Sequence, residues 1–176
     1  LAAVQLNGKW GYIDPTGKIV LKPTYEGANR FGEGLAAVCI GRKEKETGWG
    51  MEEEWIFIDK TGKQVFTHTF TRMDDTRFSE GLCAVIKEEI QDENDKNDTR
   101  KFDAYGRGLY AGYINKSGKT VVPFHYNRAD DFSEGIAKVM VHIGEYELGY
   151  SFIDKTGKLL FPYIKCRDIE GNGKTF

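Results

Sequence analysis

One phrase recurs four times along this chain and limits what the chain can fold into. It reads Trp10-Gly-Tyr-Ile-Asp-Pro-Thr-Gly-Lys-Ile-Val20, then Trp55-Ile-Phe-Ile-Asp-Lys-Thr-Gly-Lys-Gln-Val65. It returns as Ala111-Gly-Tyr-Ile-Asn-Lys-Ser-Gly-Lys-Thr-Val121 and as Tyr150-Ser-Phe-Ile-Asp-Lys-Thr-Gly-Lys-Leu-Leu160. A second phrase follows the first three copies: Phe31-Gly-Glu-Gly-Leu-Ala-Ala-Val38, Phe78-Ser-Glu-Gly-Leu-Cys-Ala-Val85 and Phe132-Ser-Glu-Gly-Ile-Ala-Lys-Val139. A unit of this size cannot enclose its own apolar face, so the copies must stack on one another.

Each unit reads as three antiparallel strands. Aromatic and β-branched residues on both sides of a turn signal predict strand, turn, strand. Asp at the first turn position with Gly three residues on fits a type I turn closed by a left-handed Gly. The Asp side chain then accepts backbone N–H bonds across the turn. Asp14, Asp59, Asn115 and Asp154 therefore have a structural task that Asn performs as well as Asp. In the second phrase, Glu-Gly marks a sharp entry with Gly34, Gly81 and Gly135 expected at positive φ. Strand A is Leu35–Val38 and its equivalents, strand B Trp10–Ile13, strand C Ile19–Leu21. Leu1 to Val4 looks like another strand A, joined to Trp10 by an Asn7-Gly8 hairpin turn. Tyr25 and Tyr126, each six residues before its Phe, are read as anchors for an irregular crossover. Small residues at 11, 112 and 151 predict a close approach there, by the aromatic anchor of a neighbouring repeat.

Composition excludes several classes. A chain of 176 residues suffices for one domain, and no apolar run approaches the roughly 20 residues of a membrane-spanning helix. A net charge of −2 gives no electrostatic basis for nucleic-acid binding. Cys39, Cys83 and Cys166 are odd in number and lack a CxxC pair, so they form neither a disulfide framework nor a zinc site. Cys83 takes the place of Ala36 and Ala137 and is expected to be a small buried residue. His68, His125 and His142 form no close pair, and no nucleophile elbow, HExxH, P-loop or dinucleotide fingerprint occurs. No catalytic residue, metal or cofactor is expected.

Lys9-Trp10-Gly11-Tyr12-Ile13-Asp14, Thr16-Gly17-Lys18, Pro23, Tyr25, Phe31 and Glu33-Gly34-Leu35-Ala36 resemble the bacterial WG (KWG) repeat family. Later copies depart from that pattern: Ala111 and Tyr150 replace Trp, and Ile56 and Ser151 replace Gly. The resemblance implies a β-rich repeat module used for interaction, with no catalytic residues to carry over.

Function in a repeat scaffold is sought where the copies differ. The insertion at 41–54 carries Trp49-Gly-Met51 amid charge and reads as an extended hairpin. The insertion at 87–110 is acidic and ends in Tyr105-Gly-Arg-Gly-Leu-Tyr110; a solvated, mobile loop is expected there. Its Asp92 to Asn97 run lacks the Gly and the final Glu of a calcium loop. Both insertions should project from one edge of the array. Trp49, Met51, Tyr105 and Tyr110 are the binding candidates. The expected partner is a protein or peptide, with carbohydrate stacked on these aromatics as the alternative. The recurring Glu33, Glu80 and Glu134 are expected beside their Gly turns, facing Lys18, Lys63, Lys119 and Lys158 in a weak surface network.

The expected architecture is all-β: one domain of about four three-stranded antiparallel units with open ends and a gentle superhelical twist. Units are placed at roughly 1–38, 39–85, 86–139 and 140–176, and a closed propeller is the alternative. The start within a repeat and the incomplete last copy predict a piece of a longer array, or an array whose ends associate.

Overall fold

The computed structural model describes residues 1–44, 51–67, 76–90, 107–144 and 147–166. They form four antiparallel sheets in chain order. The first contains β1 (Ala2–Leu6), β2 (Lys9–Ile13) and β3 (Ile19–Tyr25). The second contains β4 (Gly27–Ala28), β5 (Leu35–Glu44), β6 (Met51–Asp59) and β7 (Gln64–Thr67). The third contains β8 (Leu82–Ile90), β9 (Arg107–Asn115) and β10 (Thr120–Tyr126). The fourth contains β11 (Arg128–Ala129), β12 (Ile136–His142), β13 (Leu148–Asp154) and β14 (Ile164–Lys165). The array is all-β, and among the described residues no sheet closes into a barrel. Two sheets gain a fourth strand because the crossover contributes β4 or β11 to the edge of the strand A that follows it.

Register repeats with the sequence. Leu35 pairs with Asp59, Leu82 with Asn115 and Ile136 with Asp154. The boundaries expected after residues 38, 85 and 139 therefore fall inside β5, β8 and β12. Strand A pairs with the Trp-Gly strand that follows it, so strand A belongs to the sheet after it and no sheet ends there.

Alternation explains why segments such as Leu35–Ile40 of β5 and Trp55–Ile58 of β6 are apolar at successive positions. A strand places successive side chains on opposite faces, and here both faces of the inner sheets are covered. In the second sheet, Ala36, Val38, Ile56 and Ile58 pack with Tyr12 and Leu21 of the first. Their sequence neighbours Ala37, Cys39, Trp55 and Phe57 turn the other way, onto Phe78, Cys83, Val85 and Ile114. The third sheet repeats this, with Tyr113, Val122 and Tyr126 packing against Ala137, Val139 and Ile153. Each fully buried aliphatic or aromatic side chain contributes about 1.5–3 kcal/mol relative to exposure. The Phe before each Glu-Gly closes onto the strand B aromatic of the preceding sheet: Phe31 on Tyr12 at 4.8 Å, Phe78 on Phe57 at 5.4 Å and Phe132 on Tyr113 at 4.7 Å. Tyr12 and Tyr113 also donate their hydroxyls to the carbonyls of Asn29 and Asp130, each at 2.7 Å. Cys83 is buried as expected, and burial pushes its thiol far above the ordinary range.

The Gly of Trp-Gly has a different cause from the expected one. A Cβ at Gly11 would lie 2.5 Å from the Leu21 carbonyl and 2.7 Å from the Pro23 nitrogen. At Gly112 it would lie 2.8 Å from the Val122 carbonyl and 3.0 Å from the Phe124 ring. The close approach is thus by the unit's own strand C, which bulges at this point, and not by a neighbour's aromatic anchor. The pairing shows the bulge: Trp10 pairs with Tyr25 but Tyr12 with Leu21, and Ala111 pairs with Tyr126 but Tyr113 with Val122. In the second sheet, which has no Pro here, β7 runs straight enough for Thr67 to pair with Ile56, and a side chain fits. Ser151 fits by donating its hydroxyl to the Phe161 carbonyl at 2.6 Å.

Two variants test this packing. Gly112→Ala should destabilise the chain by roughly 1–3 kcal/mol through overpacking, and Phe132→Ala by roughly 3–5 kcal/mol through the cavity it leaves. Urea unfolding followed by Trp fluorescence measures both.

Candidate functional site

The repeated polar residues are consumed by the scaffold. Asp14 Oδ1 accepts the Thr16 N–H, the Thr16 hydroxyl and the Lys18 N–H at 2.9, 2.6 and 3.0 Å. Asp59, Asn115 and Asp154 repeat this set, and the following Gly residues sit at φ between 80° and 86°. These are the expected type I turns. The Thr hydroxyl, then burial acting in the opposite sense and the backbone donors, set the titration of Asp14, Asp59 and Asp154, which is lowered in each case.

The glutamates act between units. Glu33, Glu80 and Glu134 themselves adopt positive φ of 49°, 53° and 54°, followed by Gly34, Gly81 and Gly135 at 93°, 86° and 82°. Two left-handed residues in succession make a type I′ turn, and their N–H groups converge into an anion-binding nest. Glu33 accepts from the Gly81 N–H at 3.0 Å, and Glu80 from the Gly135 N–H at 3.0 Å. Lys116 and Lys155 complete these contacts at 2.9 Å each. The lysine partners are therefore those two, one position after the turn Asp or Asn, instead of Lys18, Lys63, Lys119 and Lys158. Those lysine hydrogen bonds are the foremost cause holding Glu33 and Glu80 below the usual carboxylate range.

With these groups spent, one repeat position still faces outward: it lies on strand C (β3, β7 and β10) in the first three copies and on the segment after the turn, which forms no strand, in the fourth. Val20, Val65, Val121 and Leu160 occupy one repeat position and are 43, 46, 38 and 48 % exposed. The next residue in each copy turns inward: Leu21 and Val122 are buried, Phe66 stacks on Phe57 at 4.7 Å, and Phe161 meets Phe152 at 5.6 Å. The inward residue supports the next unit's turn. A Cβ at Gly62 would reach Leu21 at 3.0 Å, one at Gly118 Phe66 at 2.8 Å, and one at Gly157 Val122 at 3.1 Å. The outward aliphatics are thereby held in a row along one flank, beside the exposed Lys18, Lys63, Lys119 and Lys158. β3, β7 and β10 are edge strands, so this flank faces outward. Sequence reasoning treated strand C as scaffold and missed the row. Its signal was an aliphatic residue two places after each turn Lys, on the face opposite to the packed one.

The sequence candidates lie elsewhere. Trp49 and Tyr105 fall outside the described residues. Met51 is placed by its backbone, opposite Glu44 near the end of the β5–β6 ribbon. Tyr110 is 2 % exposed in β9, so its ring is enclosed and does not serve as an open stacking platform. The first insertion is an extended hairpin where described, with Arg42 bonded to Glu53 at 2.8 Å. The second is also strand as far as Ile90 paired with Arg107, where a mobile loop was expected; 91–106 lie outside the described residues. Both ribbons leave the units at the end opposite the Glu-Gly turns. Among the described residues no group of His, Cys, Asp and Glu could hold a metal ion, and no helix is long and apolar enough to cross a membrane.

The turn carboxylates give a pH signature. Their titration is lowered on folding, so they stabilise the fold at neutral pH, and that stabilisation fades as pH falls through the carboxylate range. Asp59→Asn should keep stability near pH 7 and flatten the loss in acid, whereas Asp59→Ala should be less stable throughout. Urea midpoints between pH 3 and pH 7 separate these outcomes.

No curated protein and no solved structure matches the chain. The family model of the WG containing repeat matches residues 10–43, 55–89 and 112–142. These spans cover more than half of the sequence, start at or next to the Trp-Gly position of the first three copies, and run on through the Glu-Gly turn. This chain belongs to the WG containing repeat family.

Proposed function

We propose that this chain is a non-catalytic interaction module that binds a polypeptide along its strand C flank. The observation that carries the reading is the row of Val20, Val65, Val121 and Leu160, exposed at the same position in all four units. Isolated exposed aliphatics are ordinary, but a row repeated on a rigid flank marks a contact surface. Stacked sheets lie about 10 Å apart, so the row offers apolar contacts at that interval. The neighbouring lysines favour carboxylates between them. The partner is therefore a protein segment or surface with spaced apolar residues and acidic neighbours. The carbohydrate alternative has lost Tyr110 as an open platform, and nothing on the described flank favours it.

Screening the immobilised chain against a random peptide library and a glycan array decides between the two. Enrichment of acidic–apolar peptides that no longer bind the Val65→Asp/Val121→Asp variant is the expected result. Glycan binding without peptide enrichment, or peptides indifferent to that variant, would overturn the proposal. Both substitutions are at exposed positions, so melting temperature should hardly change.

A further inference from the structure

The inter-unit glutamate bridge has a direction: each Glu-Gly turn presents a carboxylate to the next unit and a nest to the previous one. The nests of the third and fourth sheets are filled by Glu33 and Glu80. The nest of the second sheet, made by the N–H groups of Glu33 and Gly34, has the same positive-φ pair. Lys60 stands at the turn position that Lys116 and Lys155 hold in the filled cases, and it is exposed. Among the described residues no carboxylate occupies this nest. At the other end Glu134 is exposed in the same turn geometry, and no described nest receives it.

A cleft of about 580 Å³ reaches Phe31, two residues before this nest, and is lined by Leu1, Ala3, Trp10, Phe31 and Arg77 among others. In the filled copies that place belongs to the turn itself. Gly32 lies against the Phe78 backbone, where an added Cβ would come within 2.4 Å of the carbonyl. Ser79, its counterpart, donates its hydroxyl to the Phe132 carbonyl at 2.7 Å. The equivalent contact for a turn ahead of the second sheet would be the Phe31 backbone, which borders the cleft.

We propose that the Glu33–Gly34 nest, Lys60 and this cleft form a seat for the glutamate of a Phe-x-Glu-Gly turn from another WG repeat. The ligand is a side-chain carboxylate on a tight type I′ turn, and the specificity is that of array extension: repeats add with one polarity. This inference is independent of the strand C flank.

The test joins Phe-Ser-Glu-Gly, the sequence of residues 78–81, directly to Leu1. A second version carries Gln in place of the joined Glu, and each is made with Lys60 and with Lys60→Gln. The Glu extension should melt about 2–4 °C above the Gln extension, and the difference should shrink in the Lys60→Gln background. In ¹H–¹⁵N spectra the Glu33 and Gly34 amide protons should move downfield with the Glu extension alone, while those of Gly81 and Gly135 stay in place. Equal melting temperatures and equal Glu33 and Gly34 shifts for the two extensions would overturn the proposal. So would a Glu effect that Lys60→Gln leaves at full size with the amides unmoved.

Discussion

Sheets in this chain are two-faced, and the rest of the structure depends on that. A strand such as Ile56-Phe-Ile58 sends Phe57 to one neighbour and Ile56 and Ile58 to the other. Neither face of such an inner sheet is tolerable in water, so each inner sheet depends on the two that flank it. Burial drives the stacking, since the core side chains far outweigh exposed ion pairs in energy. The glutamate bridges act differently. Each spans 48 or 55 residues of sequence to reach one turn N–H, so they fix which turn meets which.

That division of labour leaves little polar chemistry for function. The turn Asp, the Glu of Glu-Gly and the Lys after the turn Asp are held by geometry that recurs from unit to unit. What the scaffold does not use is the outward position of strand C. A row there follows from repetition itself: once Leu21, Phe66 and Val122 face inward to support the following turns, their predecessors must face outward together. A surface assembled this way scales with the number of units and tolerates changes in the connecting ribbons.

Much of this was legible in the sequence, for identifiable reasons. The type I turns at Asp14 and its counterparts, the Asn7-Gly8 hairpin and the burial of Cys83 each depend on local chemistry or on position within the repeat. Three things were not legible. The left-handed conformation of Glu33, Glu80 and Glu134 is unfavourable for a residue with a Cβ and arises because a two-residue turn must close Gly32 to Leu35 and its equivalents. The lysine partners of the glutamates are set by stacking across units, which no spacing within one unit encodes. The reason for Gly11 lies in a bulge opposite it, and the burial of Tyr110 is a tertiary fact. The strand C row sat in plain sight, but only the inward packing of the next residue shows which way it faces.

Native-state hydrogen exchange tests the two-faced stack most directly. If each sheet is stabilised by neighbours on both sides, amides of β5, β6, β8 and β9 near the sheet centres exchange more slowly than those of β1, β2, β12 and β13. Protection that is uniform across the four sheets, or greatest in the first or last, would contradict the account.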